Sequence, residues 1–232
     1  MSSRVLVVDD DPHVAKLLTS ILVSQGYEVR TTNDADSAVS SLRGWCPAVI
    51  ITDLEMPRVD GLELCRRVRE TSNVPIIVVS SNNNGPSEVA ALDSGADDYI
   101  VKPFSTDNLL ARVRVALRRS TGTPEASAFG VGEFHIDFHD RRVRVHGQPV
   151  RLTPKEFDLF VFMARHPNRV LPHKTLLGAV WGEASEDQSE YLRVFIGQLR
   201  KKLESDTSKP RYLVTEPWVG YRFNPTGMAA NS

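Results

Sequence analysis

The chain has 232 residues, with 28 basic against 29 acidic side chains, 41% hydrophobic residues and two cysteines. A domain usually takes about 100–150 residues, so this length predicts two domains, and the composition excludes extensive disorder and collagen-like or coiled-coil repeats. Two cysteines cannot build a disulfide framework and fit a reducing compartment. Without a secretory leader or an apolar run of the ~18–20 residues that span a bilayer, we expect a cytoplasmic protein with no membrane partner.

A connector without large apolar residues divides the chain. Its sequence, S-T-G-T-P-E-A-S-A, is rich in small and turn-forming residues. We therefore expect a first domain at 1–119, a linker at 120–128, a second domain at 129–225 and a flexible tail at 226–232. The first part carries a small acidic excess and the second a small basic one, which weakly favours a polyanionic partner for the second.

Short apolar runs alternate with helical patterns through the first domain. Continuous apolar runs predict strands buried on both faces, as in a parallel sheet. The predicted strands lie at 5–8, 27–30, 48–52, 75–80 and 99–101. The predicted helices lie at 12–25, 35–44, 60–71, 86–94 and 106–119. Five such βα units predict an α/β fold with a doubly wound five-stranded parallel sheet.

Polar side chains follow four of these predicted strands. They are Asp9, Asp10, Asp53, Ser80 and Lys102. A doubly wound sheet places its chemistry beyond the carboxyl ends of the strands, so these groups should converge. Three close carboxylates repel one another, and a divalent cation relieves the repulsion; ligands made only of oxygen favour Mg²⁺. A carboxylate beside Mg²⁺ and an ammonium group can attack a phosphoryl group.

Each of these residues also has an ordinary structural explanation. An aspartate after a strand commonly caps the next helix or forms a turn, and Asp11 is a candidate for that role. A Lys-Pro pair at a strand end is commonly a solvated turn. The phosphoryl-transfer hypothesis depends on all five residues falling at one sheet edge.

Four motifs resemble the receiver domain of two-component response regulators, whose fold is flavodoxin-like or CheY-like. They are V-L-V-V-D-D-D, I-I-T-D-L-E-M-P, I-I-V-V-S-S and G-A-D-D-Y-I-V-K-P-F. The resemblance implies that a sensor histidine kinase phosphorylates Asp53. It also implies that Mg²⁺ is held by Asp9, Asp10, Asp53 and the backbone carbonyl of Glu55.

The same resemblance implies a switch around the phosphoryl group. Lys102 would pair with the phosphate, Ser80 would donate to it, and Tyr99 would turn inward into the vacated space. Phosphorylation adds a charge of about −1.5 to −2 and strong acceptor oxygens, enough to bias a bistable loop. The resemblance also implies a cis bond between Lys102 and Pro103.

In the OmpR/PhoB subgroup of this family, a face made of the fourth helix, fifth strand and fifth helix pairs two phosphorylated copies. The positions at or near those that supply ion pairs are Asp97, Asp98, Arg112 and Arg118. Ala90 and Asn108 replace both partners of one usual pair, so no charge is stranded. Exposed pairs contribute about 0–1 kcal/mol each, so a homodimer remains the expectation. A solvated helix face is the alternative for these charges.

The second domain predicts a small sheet followed by helices. Residues 129–152 alternate apolar and polar, as antiparallel strands do. Thr153-Pro154-Lys155-Glu156 has the pattern of a capping box that starts a helix. Further helices are predicted at 173–181 and 188–204, and a closing hairpin at 212–215 and 221–223.

The last predicted helix has two different faces. The residues expected in the core are Leu192, Ile196, Leu199 and Leu203. The residues expected on the opposite side or its flank are Tyr191, Arg193, Val194, Gly197, Gln198, Arg200 and Lys201. An α-helix fits the major groove, where Arg reads guanine, Gln reads adenine and an apolar group contacts the thymine methyl. The alternative is a solvated basic turn that complements the helix dipole.

The motifs L-T-P-K-E-F, V-W-G, L-R-K-K-L and G-Y-R-F resemble the OmpR/PhoB winged helix-turn-helix domain. The resemblance implies binding of double-stranded DNA, with RNA polymerase as a further partner of a transcription regulator. It adds Trp181, Thr215 and Arg222 to the DNA-binding residues above. The segments 191–204 and 210–216 most resemble regulators of high-affinity potassium uptake.

The predicted wing departs from the family pattern. Pro217 and Trp218 replace a polar or basic residue and a glycine, so a minor-groove arginine is absent. We expect Trp218 to pack on the sheet; contact with DNA sugar is the alternative.

We therefore expect a transcription regulator that is switched by phosphorylation and has no enzymatic activity beyond its own phosphorylation and dephosphorylation. Two other functions are the alternatives. One is a regulator that binds DNA regardless of phosphorylation, which the complete acidic set disfavours. The other is a haloacid-dehalogenase-type phosphatase. Its D-x-D-x-[TV] motif fails here because His13 occupies the last position.

Overall fold

The computed structural model describes residues 2–56, 60–117, 128–182 and 189–227. The chain divides into two compact units, Met1–Ser120 and Thr121–Ser232. Arg118, residues 120–127 of the predicted linker and residues 228–232 of the predicted tail lie outside the described ranges. Among the helices within those ranges, none combines the length and hydropathy needed to cross a membrane.

The first unit alternates strands with helices. Its strands are β1 (Arg4–Val8), β2 (Glu28–Thr32), β3 (Val49–Asp53), β4 (Ile76–Ser80) and β5 (Asp98–Val101). Its helices are α1 (Pro12–Ser24), α2 (Ala35–Gly44), α3 (Gly61–Thr71), α4 (Gly85–Asp93) and α5 (Thr106–Leu117). The strands form one parallel sheet in the order β2-β1-β3-β4-β5, which confirms the predicted doubly wound fold.

The strand order explains where a site can form. Strands β1, β3 and β4 are buried along almost their whole length, since helices cover both faces. The chain leaves β1 toward β2 on one side and reaches β3 on the other. The two connections therefore separate at the carboxyl ends of β1 and β3, where such sheets open a crevice.

Local chemistry fixes the helix starts around this crevice. The carboxylate of Asp11 accepts a hydrogen bond from the His13 amide at 2.8 Å and caps α1, so its structural role is confirmed. At the start of α3, a Cβ on Gly61 would lie 2.3 Å from the backbone oxygen of Asp53. Only glycine allows α3 to approach the end of β3 this closely.

The second unit holds two antiparallel sheets and a helical layer. Its strands are β6 (Ala128–Val131), β7 (Phe134–Asp137), β8 (Arg142–Val145), β9 (Gln148–Val150), β10 (Val170–Pro172), β11 (Leu213–Glu216) and β12 (Gly220–Phe223). Its helices are α6 (Pro154–Ala164), α7 (His173–Trp181) and α8 (Ser189–Leu203). The sheet orders are β6-β7-β8-β9 and β10-β12-β11. This architecture confirms the predicted winged helix-turn-helix domain.

The sequence analysis did not predict β10. This strand has three residues and is too short to show a period, yet it pairs with β12 and closes the three-stranded sheet. The predicted capping box is present: Thr153 accepts from the Glu156 amide, and the Glu156 carboxylate accepts from the Thr153 amide at 2.7 Å. The rings of Phe134, Phe160 and Phe223 meet at centroid distances of 5.0–5.3 Å and join the sheets to α6.

Candidate phosphoacceptor site and nucleic-acid interface

Three of the predicted groups meet at the edge of the sheet, where the Lys102 ammonium lies between the carboxylates of Asp53 and Asp9. The Lys102 Nζ lies 2.6 Å from Asp53 Oδ2 and 3.6 Å from Asp9 Oδ2. The Asp53 Oδ1 accepts hydrogen bonds from the Leu54 and Glu55 amides at 2.6 and 3.2 Å. Asp53 is therefore held at both oxygens, and its side chain keeps 12% of its surface open to solvent. A partly accessible carboxylate oriented by a cation is chemically suited to accept a phosphoryl group.

Asp9 is the more buried of the two carboxylates. Its side chain is 1% exposed, and its Oδ1 accepts from the Asp11 amide at 2.9 Å. Within the described residues its Oδ2 has no hydrogen-bond partner. Burial raises the pKa of the Asp9 carboxyl above its ordinary value, against the opposing effects of the Asp11 amide and of Lys102. One buried oxygen is thus left with only a distant ammonium for compensation.

The acidic groups at this edge of the sheet suit Mg²⁺, which keeps several water ligands, better than they suit a metal ion whose ligands are all protein side chains. Within the described ranges, no three His, Cys, Asp or Glu side chains are grouped closely enough to hold a metal by themselves. Mg²⁺ does not need such a group, because it keeps several waters and commonly takes one or two carboxylates. Asp10 is exposed beside Asp9, and the Asp9 Oδ2 lacks a partner. These features fit the ion.

Ser80 and Tyr99 lie on adjacent strands and both bind the loop after β4. The Ser80 Oγ accepts from the Asn82 amide at 3.1 Å. The Tyr99 hydroxyl donates to the Asn82 backbone oxygen at 2.6 Å, and the residue is 2% exposed. Burial raises the pKa of the Tyr99 hydroxyl, so it stays a donor at neutral pH. The tyrosine is therefore turned inward and pins the loop at Asn82.

The charges predicted for a dimer face are paired within the chain. Asp97 is 1% exposed and accepts from Arg69 at 2.6 Å and from the Ile76 amide at 2.9 Å. Asp98 forms a buried ion pair with Arg112, which also donates to Asn108 at 2.9 Å. The sequence analysis missed Arg69, because a partner 28 residues away leaves no periodic signal. Arg118 lies outside the described residues.

The predicted recognition helix, α8, buries more residues than expected. Its predicted core stripe is buried, and Phe195 joins it. Tyr191, expected on the flank, is also buried and contacts the Trp181 ring edge-on at a centroid distance of 6.2 Å. Trp181 stacks obliquely on Phe195 at 5.0 Å and lies 5.0 Å from the Lys155 Nζ. Trp181 and Tyr191, both predicted to bind DNA, are thus buried in the packing of α8 against the rest of the unit.

The outer side of α8 is basic and partly open. Arg193 and Lys201 are exposed, while Val194, Gly197 and Gln198 are half-buried. Arg193 forms an exposed ion pair with Glu190 at 2.6 Å. Apart from its chain neighbours and the backbone of α8, no described atom lies within 4 Å of a Cβ built on Gly197. The described residues therefore give no steric reason for this glycine.

Arg200 joins α8 to the closing hairpin. Its Nε and Nη2 donate to the Leu213 backbone oxygen at 3.0 and 2.6 Å, and Nη2 also donates to the Thr215 hydroxyl at 2.7 Å. Burial lowers the pKa of Arg200 from its ordinary value. Thr215 itself is exposed, and Arg222 is paired with Glu216 at 2.7 Å. The Arg200 guanidinium thus helps to fix the hairpin to the helix, together with the Glu204 carboxylate, which accepts from the Leu213 amide at 2.9 Å.

The expectation that Trp218 packs on the sheet is wrong. Its side chain is 100% exposed at the tip between β11 and β12. The backbone causes this placement: φ is +65° at Trp218, and Val219 donates to the Glu216 oxygen at 3.1 Å to close a tight turn. Hydrophobicity argued for burial, but the turn directs the side chain away from the sheet.

Both units match models of known domain families. Residues 5–114 match a response regulator receiver domain, and residues 147–223 match the C-terminal domain of transcriptional regulatory proteins. The fold and these matches define a two-domain, DNA-binding transcription regulator. Receiver domains generally bind Mg²⁺ at the phosphorylation site, and this pair of domains implies DNA and a histidine kinase as partners.

Whole-length relatives agree with that class. The DNA-binding response regulator MtrA of Mycolicibacterium smegmatis is 37% identical over 225 residues, which cover 97% of this chain and 98% of MtrA. KdpE of Mycobacterium tuberculosis is 38% identical over 221 residues, which cover 94% and 98%. The structure of DrrB of Thermotoga maritima, described as an OmpR/PhoB homolog, has a TM-score of 0.51 and 29% identity over 97% of this chain and 100% of its own. The chain belongs to the OmpR/PhoB family of response regulators.

Proposed function

We propose that Asp53 is the phosphoacceptor of this response regulator. The observation that carries the proposal is the 2.6 Å contact between Asp53 Oδ2 and Lys102 Nζ at the carboxyl end of β3. In the reaction, a carboxylate oxygen forms a bond to phosphorus while the bond from phosphorus to its donor breaks. The Lys102 ammonium offsets the negative charge on the transferring oxygens.

We further propose Mg²⁺ as the cofactor. Asp10, Asp53 and the backbone carbonyl of Glu55 would hold it, with Asp9 completing the acidic set. When bound, the ion supplies positive charge to the phosphoryl oxygens. The chain's own groups orient Asp53 through two backbone amides and supply the ammonium, and the buried Asp9 oxygen gains a counter-charge.

The phosphoryl group would be read by Ser80 and Tyr99. The Ser80 hydroxyl, now an acceptor from Asn82, would instead donate to a phosphoryl oxygen. The loop after β4 and the face of α4, β5 and α5 would change together. We propose that this change favours a homodimer through that face, to which we assign Asp97, Asp98, Arg112 and Arg118.

The output would be sequence-specific binding of double-stranded DNA and contact with RNA polymerase. Arg193, Val194, Gly197, Gln198 and Lys201 lie on the accessible side of α8, and the wing would add Thr215 and Arg222. Trp181, Tyr191 and Arg200 would act by positioning, because they are buried or bonded within the unit. Because its proposed partner is DNA, we propose that the protein acts in the cytoplasm.

The target genes are a separate question. The identities to MtrA and KdpE differ by one percentage point, so the comparisons do not favour potassium uptake over another role. We propose that the chain has no enzymatic activity beyond its own phosphorylation and dephosphorylation.

The phosphoacceptor is tested with a radiolabelled small-molecule phosphodonor. We expect wild-type protein to incorporate label in the presence of Mg²⁺ and Asp53→Asn to incorporate none. Asp11→Asn is the matched control, because Asn also caps a helix and Asp11 is exposed; it should retain labelling. Label that persists in Asp53→Asn would place the phosphoacceptor elsewhere. DNA affinity of wild type that is unchanged by phosphodonor would favour a phosphorylation-independent regulator.

A further inference from the structure

Trp218 occupies a costly backbone conformation for a bulky residue. In the turn Glu216-Pro217-Trp218-Val219, proline is second and a residue with φ of +65° is third, which is the pattern of a type II turn. That third position favours glycine or asparagine, since a Cβ is disfavoured there. An aromatic residue at this position is a genuine outlier, and such outliers persist where the surroundings impose them.

The Trp218 ring is not buried against any of the residues that the structure describes. Of the three tryptophans, Trp45 and Trp181 are 4% and 3% exposed, whereas Trp218 is 100% exposed. Val219 beside it is 49% exposed, and Pro217 is exposed as well. The tip is therefore apolar, and within the described part of the chain no packing of the ring offsets the strain of its backbone.

The backbone of the tip is nevertheless held firmly. Val219 donates to the Glu216 oxygen, and the Val219 oxygen accepts from the His173 amide at 3.1 Å, which ties the tip to the start of α7. Lower in the hairpin, Arg200 fixes Leu213 and Thr215 to α8. The ring is thus presented at a set distance from the recognition helix. Thr215 lies in β11 and Trp218 in the turn that follows, so the ring lies at the tip of the hairpin, beyond the Arg200 contact.

We propose that Trp218 is a DNA-contacting residue, an apolar wedge that enters the minor groove next to the major groove read by α8. The inference rests on the proposed DNA-binding function. The minor groove is about 6 Å wide, which is too narrow for a helix but open to a single side chain. Proteins that bind the minor groove commonly insert single apolar side chains against or between base steps.

The surroundings favour DNA over a protein as the occupant. The exposed or half-exposed charged side chains on α8 and the hairpin include Arg193, Arg200, Lys201 and Arg222, against Glu190 and Glu216, while Lys202 is paired with Glu156. A stable protein interface buries about 800 Å² on each partner, whereas one aromatic side chain buries about 150–250 Å². A single apolar tip within a basic surface therefore suits insertion into DNA better than a protein interface.

The test uses full-length protein and a duplex selected by wild type from a random pool. Trp218→Asn is the main variant, because asparagine tolerates the left-handed turn and so removes the ring while keeping the backbone. We expect it to weaken binding about tenfold, since stacking of a base on an aromatic ring contributes ~1–3 kcal/mol. The slope of log affinity against log salt should not change, because no counterion is released by an apolar contact. Trp218→Phe should restore most of the affinity.

Two readouts locate the ring. Acrylamide quenching of tryptophan fluorescence in free protein should come mainly from Trp218, and the duplex should suppress it. Methylation interference at adenine N3, which lies in the minor groove, should be present for wild type and lost for Trp218→Asn. Interference at guanine N7, in the major groove, should persist in both.

The outcomes separate the wedge from the proposed function. If Trp218→Asn binds the selected duplex as tightly as wild type, or if the duplex leaves acrylamide quenching unchanged, the wedge is wrong while DNA binding stands. If wild type enriches no sequence from the pool and Lys201→Ala leaves its weak binding unchanged, DNA recognition by this surface fails, and the wedge fails with it.

Discussion

The phosphoacceptor site and the DNA-binding surface are built in opposite ways. At the sheet edge, Lys102 neutralises Asp53 and lies near Asp9, so the site is assembled from opposing charges within the chain. On α8, Arg193 and Lys201 extend into solvent, and among the described residues Arg193 is paired with the exposed carboxylate of Glu190. The first surface is organised before its ligand arrives, whereas the second is left with charge that a polyanion can neutralise.

This contrast predicts that the effects of two mutations on stability are strongly coupled at the phosphoacceptor site and weakly coupled on α8. The largest effect should come from Lys102→Met, which leaves Asp53 and Asp9 without their counter-charge. We expect the opening free energy of β1 and β3, measured by hydrogen exchange, to fall by about 2–3 kcal/mol. Adding Asp53→Asn should recover at least about 1 kcal/mol, because one stranded charge is removed.

The matched comparison is the pair Arg193→Ala and Lys201→Ala on α8. Their effects on stability should add, with a coupling energy below about 0.5 kcal/mol, since both side chains are exposed. Coupling as large as that between Lys102 and Asp53 would contradict the contrast. In DNA binding, Lys201→Ala should reduce the salt slope by about one unit if it contacts a phosphate, and Arg193→Ala should relax sequence preference.

The raised pKa of Asp9 gives the site a distinctive pH dependence. Because the pKa of Asp9 is raised in the folded state, the folded protein binds more protons than the unfolded chain between pH 3.8 and the folded-state pKa. The free energy of unfolding of the wild type therefore falls as the pH rises through this window. Without Mg²⁺, Asp9→Asn should therefore gain stability relative to wild type across that window and then level off. Hydrogen exchange of β1 at acidic and neutral pH measures this. A gain that shrinks as pH rises would contradict the burial of Asp9.

Much of the phosphoacceptor site could be predicted from short sequence motifs, because a doubly wound sheet gathers the residues at the carboxyl ends of its strands. The ends of three strands, β1, β3 and β5, were enough to bring Asp9, Asp53 and Lys102 together. Arg69 could not be predicted, since its pairing with Asp97 joins α3 to β5 and depends on the packed sheet.

The surface of the second unit was harder to predict, because one-dimensional periodicity does not fix the width of a buried stripe. Tyr191 and Phe195 widen the buried side of α8 beyond the stripe based on leucine and isoleucine. The expectation for Trp218 was wrong because it did not take the conformation of the turn into account. A proline followed by a left-handed residue at a hairpin tip fixes the direction of the side chain whatever its hydropathy.

Gly197 offers a sharper test of what the exposed surface is for. Glycine within a helix costs about 1 kcal/mol relative to alanine, and space around a Cβ at this position is open. Gly197→Ala should therefore stabilise the second unit by about 1 kcal/mol in thermal unfolding. If the DNA backbone passes close to α8, the same change should weaken binding to the selected duplex. Unchanged affinity would mean that Gly197 does not face DNA.

The smallest effect on stability, and the most direct probe of the open surface, should come from Glu190→Gln. The Glu190–Arg193 pair is exposed at both side chains, 62% and 66%, so its loss should change stability by no more than about 0.5 kcal/mol. DNA binding should become tighter, because Arg193 no longer has to break its ion pair with Glu190 before it contacts DNA. The change also removes a negative charge from the side of α8 proposed to face DNA. The gain should shrink as salt is raised. The control is Glu63→Gln, which breaks an exposed i,i+3 pair with Arg66 in the other unit and should leave DNA affinity unchanged. If Glu190→Gln weakens binding, Glu190 orients Arg193 toward its base and the ion pair belongs to the recognition surface.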